Sequence, residues 1–426
     1  MNSLISLDRL RFLFNRFSER LWVRPLAVCF LSIAAVFAAK FIDGSAVANQ
    51  MPSIAQDSVE TLLSLLASSM LVIATFSVGS MVSAYAAASS SATPRAFSLV
   101  VADDVSQNAL STFVGAFIFS VVALTAVKNA FYNEAGLFIL FVLTAIVFAV
   151  VILTFVRWVD NIARLGRVGS TIEKVEKATE NAFIRRRDKP RLGGISISDI
   201  TSEGVDVFSP TIGYVQHIDM AALQDWAQRV DAHIVVSALP GTLTTADKPL
   251  ASVHMSSSAL SNVDCTGLIK SFHIGNDRTF EDDPRFGLVT LSEIAARALS
   301  PAVNDPGTAI KVTGSLVRLI SLIDQPEQPE QPESKPKYDR VAVPEVALQD
   351  MFDDAFTAIA RDGAGIIEVC IRLQKALASL ESLNNKEIKK AAQYHRRLAL
   401  KRACNVLDIE EDLIAIKKAA REDKSM

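Results

Sequence analysis

The sequence predicts an α-helical membrane protein with four transmembrane helices and a C-terminal cytoplasmic α+β domain. Half of the 426 residues are hydrophobic, and the mean hydropathy of +0.29 is positive. Four apolar stretches approach or exceed the ~20 residues that cross a bilayer. Short apolar runs separated by turn residues, typical of strands, begin only after residue 190.

The bulk composition excludes several other classes. A net charge of −3 is too small to indicate a nucleic-acid partner. The four cysteines are far apart and form no C-x-x-C pair, which argues against a zinc site and a disulfide framework: Cys29, Cys265, Cys370 and Cys404.

Residues 1–24 predict a basic amphipathic helix at the membrane surface. Leucine and phenylalanine recur at helical spacing between five arginines: Arg9, Arg11, Arg16, Arg20 and Arg24. The first span follows at 25–42. The alternative is a cleavable signal peptide ending near Ala46-Val47-Ala48. The long, amphipathic basic region and the later spans favour the surface helix.

The second span, predicted at 61–88, carries the most informative pattern. No charged residue occurs between Glu60 and Arg95. At about 100° per residue, one face collects small and hydroxylated side chains: Ser64, Ser68, Thr75, Gly79 and Ser83. The opposite side is apolar and suits lipid or an apolar neighbour: Leu63, Leu66, Met70, Ile73 and Met81.

Two interpretations of the small, hydroxylated face stay open. Small residues let helix backbones approach closely, so the face could pack against another helix. Hydroxyl groups can also line a pore or hydrated cavity.

The third and fourth spans are predicted at 109–127 and 136–156, joined as an antiparallel hairpin. Basic residues set the orientation of membrane helices. The N-terminal region and the segment after the fourth span carry arginines, whereas residues 43–60 contain no Lys or Arg. Both termini are therefore expected in the cytoplasm. The lipid bilayer is expected to be one partner of the chain.

The cytoplasmic part is predicted in four pieces. A stalk helix continues the fourth span over 157–189. An α+β domain covers 190–324, with strands at 213–218, 233–238 and 250–254 and helices at 284–299 and 306–323. A threefold Q-P-E repeat makes 325–342 an extended linker. The tail, 343–426, is predicted helical, with Lys and Glu interleaved on its exposed faces.

The densest polar cluster lies around the start of the helix at 284–299. It comprises Arg278, Glu281, Asp282 and Asp283, with Asn304 and Asp305 beyond the other end of that helix. Aspartate before proline is an N-cap followed by proline at the first helical position, so capping explains Asp283 and Asp305. The alternatives are an ion site and a pairing of Arg278 with Asp305 of a neighbouring subunit.

No stretch predicts catalysis. His217 and Asp219 alternate along a predicted strand, but no nucleophile accompanies them. The phosphate-binding, dinucleotide-binding, zinc-protease and hydrolase motifs do not occur. The sequence therefore predicts no enzyme, no catalytic or metal-binding residue and no cofactor.

Four long stretches carry a family resemblance: residues 67–120, 157–176, 213–223 and 278–310, the last reading RTFEDDPRFGLVTLSEIAARALSPAVNDPGTAI. They resemble the bacterial predicted membrane proteins of the domain of unknown function 2254 family, over about Arg24 to Ile323. The resemblance implies a multi-pass bacterial inner-membrane protein with four spans and a cytoplasmic C-terminal domain. It implies no activity and no functional residue.

Two functional hypotheses follow. The first is a homo-oligomeric channel or transport-like protein with a cytoplasmic regulatory domain, whose pathway the hydroxylated face lines. The alternative is a membrane-anchored sensor or scaffold that binds an unidentified protein partner through its cytoplasmic domain.

Overall fold

The computed structural model describes residues 22–41, 52–101, 103–200, 204–255, 263–324 and 336–421. The chain divides into two compact units, which we call the bundle unit (residues 11–171) and the C-terminal unit (residues 172–426). The predicted surface helix lies almost wholly outside the described residues, as do residues 325–335 of the Q-P-E linker.

The bundle unit is built from long apolar helices. In the described ranges, four are long and apolar enough to cross a membrane, as predicted. The helices of this unit are α1 (Val23–Phe41), α2 (Gln56–Ser91), the short α3 (Phe97–Val101), α4 (Asp104–Lys128) and α5 (Glu134–Arg164).

Helix α4 forms the centre of the bundle and packs against α1, α2 and α5. Its buried side includes small residues, and at Gly115 an added Cβ would collide with the side chain of Val28 on α1. Glycine is therefore needed there for α1 to approach. Phe113 of α4 meets the buried Trp158 of α5 edge to face, with ring centroids 6.2 Å apart.

The predicted continuous stalk is wrong at one point. Helix α5 ends at Arg164, and α6 (Val168–Asp188) begins after a break that contains Gly166. Gly166 has φ of +88°, and an added Cβ would lie 3.0 Å from the carbonyl oxygen of Ala84 on α2. The left-handed backbone and the close neighbour both require glycine, so the helix is interrupted here.

The C-terminal unit combines helices with two small sheets. The strands are β1 (Gly194–Ile195), β2 (Gly204–Phe208), β3 (Gly213–Ile218), β4 (His233–Val236), β5 (Leu243–Thr244), β6 (Pro249–His254), β7 (Phe272–Gly275) and β8 (Tyr338–Ala342). One sheet has the order β1-β8-β4-β6-β2 and the other β5-β3-β7. Helices α7 (Met220–Arg229) and α8 (Thr266–Lys270) contribute to the core beside them, with Leu223 and Leu268 fully buried.

Strand β8 corrects the predicted domain boundary. The linker was predicted to run to residue 342, but Tyr338–Ala342 lies inside the larger sheet, parallel to both β1 and β4. The backbone amide and carbonyl groups of this segment therefore have partners on two sides, which a hydrated linker would lack.

The helical tail folds onto the preceding domain. Helices α9 (Pro284–Ala298) and α10 (Pro306–Ser321) are followed after β8 by α11 (Leu348–Asp362), α12 (Ile367–Glu381), α13 (Lys386–Cys404) and α14 (Glu410–Ala419). Arg285 at the start of α9 bonds Asp350 at 2.7 Å and Asp354 at 2.6 Å on α11. The tail is thus part of the C-terminal unit.

Candidate functional site

Helix α2 places its apolar and its hydroxylated sides as the sequence pattern requires. Leu63, Leu66, Met70 and Met81 are buried inside the bundle unit. We call the opposite side the hydroxyl face, and all its members are exposed in the single chain: Ser64, Ser68, Thr75, Gly79 and Ser83. At Gly79 an added Cβ would meet no atom within 4 Å. The apolar side therefore holds the bundle together, and the hydroxyl face points away from it.

Two hydroxyl groups of this face bond to their own helix. The Ser68 hydroxyl donates to the carbonyl oxygen of Ser64 at 3.0 Å, and the Thr75 hydroxyl donates to that of Leu71 at 3.0 Å. A hydroxyl that bonds inside its helix can pack against an apolar partner without an unsatisfied donor. Such a hydroxyl can also rotate and form a hydrogen bond with water. The geometry of these hydroxyls is thus compatible with both a helix interface and a hydrated path.

An open groove lies at each end of the hydroxyl face. The groove near the start of α2 has a volume of about 440 Å³, and its lining includes Asp57, Glu60, Ser64, Ser68 and Lys128. The groove near the end has a volume of about 600 Å³, and its lining includes Phe76, Gly79, Ser80, Ser83 and Ile162. Thr75 lies between them along the helix. The face therefore joins two concave surfaces.

A buried polar contact that the sequence pattern did not reveal joins α4 to α5. Asp103 caps α4 by accepting from the Ser106 backbone amide at 3.0 Å. The Asn161 side-chain amide on α5 donates to the same carboxylate oxygen at 2.7 Å. An aspartate just before a helix is a readable N-cap signal, but its partner lies 58 positions away in the sequence.

In the C-terminal unit, Asp283 and Arg278 form a bidentate ion pair. The Arg278 Nε lies 2.7 Å from Asp283 Oδ2 and Nη2 lies 3.0 Å from Oδ1. Asp283 also caps α9, accepting from the Phe286 amide at 3.1 Å. Gly241 packs directly on the carboxylate, where an added Cβ would collide. Burial raises the pKa of Asp283, and the bond and charge of Arg278 oppose that rise.

Asp282 pairs with His217 on β3. The His217 Nδ1 lies 2.6 Å from Asp282 Oδ2. Burial lowers the pKa of His217, but the bond and charge of Asp282 outweigh burial and raise the pKa above its ordinary value. Asp219 caps α7 at the Ala222 amide, 3.0 Å away. His217 and Asp219 thus have different hydrogen-bond partners, although the charge of Asp219 also raises the pKa of His217.

The remaining members of the cluster have local structural partners. The Glu281 carbonyl accepts from Arg185. Asp305 caps α10 and accepts from the Thr308 hydroxyl at 2.6 Å and from the Thr308 amide at 3.0 Å. These two bonds lower the pKa of Asp305. Asn304, with φ of +50°, forms the left-handed turn before it. The capping interpretation is confirmed for Asp283 and Asp305. The pairing of Arg278 with a neighbouring Asp305 loses its basis, because Arg278 is already bound to Asp283.

In the described part of the chain, no group of three or more His, Cys, Asp or Glu side chains is placed to hold a metal ion. The cluster is best described as a set of helix caps and ion pairs that position the start of α9. The hydroxyl face of α2 is therefore the stronger candidate for function.

The comparisons with known proteins agree with a membrane protein. A family model described as "Predicted membrane protein (DUF2254)" matches residues 18–379. "Uncharacterized protein MT1328" of Mycobacterium tuberculosis (strain CDC 1551 / Oshkosh) is 32% identical over 118 residues, 27% of this chain and 23% of the relative. "Uncharacterized protein Mb1321c" of Mycobacterium bovis (strain ATCC BAA-935 / AF2122/97) is 54% identical over 48 residues, 11% of this chain and 9% of the relative.

The chain thus spans less than a quarter of the length of these curated relatives. No solved structure matches the chain.

Proposed function

Because the chain belongs to the DUF2254 family of predicted membrane proteins, we propose that it is a multi-pass protein of the bacterial inner membrane with both termini in the cytoplasm. The proposal for orientation rests on the arginines that flank the spans at the N-terminus and after α5 and on their absence from residues 43–60. The four apolar helices of the bundle unit would be the spans.

Within the membrane, the protein acts as a homo-oligomeric channel or transport-like protein, with the C-terminal unit as its regulatory domain. The main observation in support of this function is that the whole hydroxyl face is exposed in the single chain. The Ser, Thr and Gly residues of this face gain little from contact with lipid, whereas they suit a close helix neighbour or water. The exposed Leu65 and Val72 lie among them on the same side of α2. Assembly of several copies around this face would give it such surroundings. Neither a catalytic group nor a cofactor is part of the proposal.

Cysteine accessibility along α2 tests this function. In a cysteine-free chain reconstituted in lipid, single cysteines at Ser64, Ser68, Thr75, Gly79 and Ser83 should react with a membrane-impermeant thiol reagent. Matched controls are cysteines at Leu62 and Val78, which are also exposed but lie off the hydroxyl face. These should stay unreactive because they face lipid.

The pattern of reactivity decides between the interpretations. Reaction limited to the hydroxyl face supports a water-filled path. Unreactive positions that cross-link between copies under oxidation support a helix interface without a path. Equal reactivity at Val78 and Ser83 would contradict a specialised face.

The alternative, a sensor or scaffold, is favoured by an exposed sheet edge. Among the described strands, β2 lies at the edge of its sheet and pairs with β6. Val205 and Phe208 on β2 are exposed, as is Ile212 after it. An edge strand of this kind can accept a strand from a partner protein. Ion or solute flux through reconstituted vesicles separates the two functions, because a scaffold would show none.

A further inference from the structure

Helix α13 carries a concentration of positive charge that the chain as a whole does not. The chain has a net charge of −3, and the tail was expected to interleave Lys with Glu. In α13 the acidic residue is Glu387, whereas the basic residues are Lys386, Lys389, Lys390, Arg396, Arg397, Lys401 and Arg402. The interleaved pattern is therefore wrong for this helix.

The basic residues of α13 divide into two groups by their partners. Arg396 pairs with Glu381 at 2.8 Å, and Arg402 donates to the Thr357 carbonyl at 3.0 Å. These two arginines hold α13 against its neighbours. The remaining five are exposed, and we call them the basic face: Lys386, Lys389, Lys390, Arg397 and Lys401.

No member of the basic face forms an ion pair with another described residue of the chain. At about 100° per residue the five lie within one side of the helix, opposite the buried Ile388 and His395. The separation of 15 positions between Lys386 and Lys401 makes them a strip about 22 Å long. The strip is long and narrow enough to lie along a flat anionic surface.

Exposed aromatic and aliphatic side chains occur on α13 and in the connection that follows it. Tyr394 on α13 is 44% exposed, and in the connection from α13 to α14 Val406 is 57% and Ile409 is 55% exposed. Basic side chains attract anionic headgroups, and aromatic and aliphatic side chains enter the interface between headgroups and acyl chains. The four candidate spans of the same chain favour a bilayer over nucleic acid as the anionic surface.

We propose that the basic face, with Tyr394 beside it, is a docking surface for a bilayer that contains negatively charged phospholipids. The four candidate spans tie the same chain to a bilayer, so even a weak contact with lipid could be occupied. Docking would make the position of the C-terminal unit depend on lipid charge and on salt.

Amine labelling of the full chain tests the proposal. The protein is reconstituted in nanodiscs of phosphatidylcholine, or of phosphatidylcholine mixed with phosphatidylglycerol, and exposed lysines are acylated and quantified by mass spectrometry. In the anionic nanodiscs, acylation of Lys386, Lys389, Lys390 and Lys401 should slow by about threefold or more. The exposed Lys248 and Lys270 serve as internal controls and should react equally in both.

A pair of variants gives the matched control. Lys390→Glu with Arg397→Glu should abolish the protection of the remaining lysines, whereas Lys248→Glu with Lys270→Glu should preserve it. High salt should also remove the protection.

Three results would overturn the proposal. Equal acylation in the two lipids would show that the face remains in solvent. Protection already present in phosphatidylcholine would indicate that protein covers it. Protection that appears only when a single-stranded oligonucleotide is added would assign the face to nucleic acid.

Discussion

The Arg278 guanidinium and the Asp283 carboxylate meet through two parallel bonds of 2.7 and 3.0 Å at the start of α9. Both residues lie in the RTFEDDP stretch, so the ion pair forms within one short segment of the sequence. Arg278 also lies over the ring of Phe286, with its Cζ 5.2 Å from the ring centroid. The pair therefore joins the loop before α9 to its first turn.

The first prediction compares two helix caps. Asp283→Ala should reduce the free energy of unfolding by about 3–5 kcal/mol, because it removes an N-cap and leaves Arg278 largely buried without its anion. Asp305→Ala, at an exposed cap, should cost about 1 kcal/mol. Both losses can be measured by unfolding the C-terminal unit with denaturant in the full chain, with proteolysis as the readout of unfolding. Equal losses would mean that the ion pair adds nothing to the cap.

The second prediction concerns His217. Its pKa is raised by Asp282 against the effect of burial, so protonation stabilises the folded state. That stabilisation is fully present below the ordinary pKa of 6.5 and is lost as the pH rises through the raised folded-state pKa. In Asp282→Asn, the free energy of unfolding should no longer fall as the pH rises from 6.5 through the raised pKa of His217. The fall that disappears is about 1.4 kcal/mol for each unit by which the pKa is raised.

The free energy of unfolding of both proteins, measured against pH, checks this prediction. Burial lowers the pKa of His395, so its own contribution is lost as the pH falls below 6.5. Both proteins share that contribution, and it cancels in their difference. Parallel curves for the original and variant proteins would show that Asp282 does not hold the proton on His217.

The third prediction contrasts two glycines of the bundle unit. Gly79→Leu should leave the single chain folded, because the added side chain begins in open space, but it should break an assembly formed through the hydroxyl face. Gly115→Leu should destabilise the bundle itself, by about 1–3 kcal/mol or more, because it collides with Val28. Native mass spectrometry and thermal unfolding in the same detergent separate these effects. Val78→Leu is the control on an exposed apolar position. If the original protein is monomeric in lipid, the assembly does not exist.

The fourth prediction is the orientation of the chain. Reporter fusions after Gln50, Phe131 and Ser334 should report outside, outside and inside, because arginines flank the spans at the ends expected in the cytoplasm. Phe131 lies in the turn between α4 and α5, so a fusion there interrupts no helix. Activity at Ser334 limited to the outside would reverse the proposed orientation.

The bundle helices were predictable because their signal is local. Uninterrupted apolar length and a 3.6-residue period place Leu63, Leu66, Met70 and Met81 on the buried side of α2 without knowledge of any neighbour. The break at Gly166 was missed because the apolar pattern resumes with the same phase in α6. A glycine in left-handed backbone next to Ala84 becomes visible only when α2 is in place.

The contacts of the C-terminal unit were less predictable because their partners are distant in sequence. His217 and Asp282 are 65 positions apart, and β8 pairs with strands on the far side of the Q-P-E repeat. A hydrated repeat is a strong linker signal, and it concealed the short strand that follows. The caps at Asp283 and Asp305 were predictable, because an aspartate before proline acts within one turn.

The position of β8 sets an order of events during synthesis. Strands β1 and β4 do not pair with each other, and Tyr338–Ala342 fills the place between them. The larger sheet therefore stays open until the ribosome has passed residue 342, long after the last residue of α5 has been made. In every copy of the chain, the apolar helices would therefore be synthesised before β8, the strand that pairs with β1, has been made. A ribosome stalled in the Q-P-E repeat would leave a chain whose apolar helices are complete but whose larger sheet lacks the strand between β1 and β4.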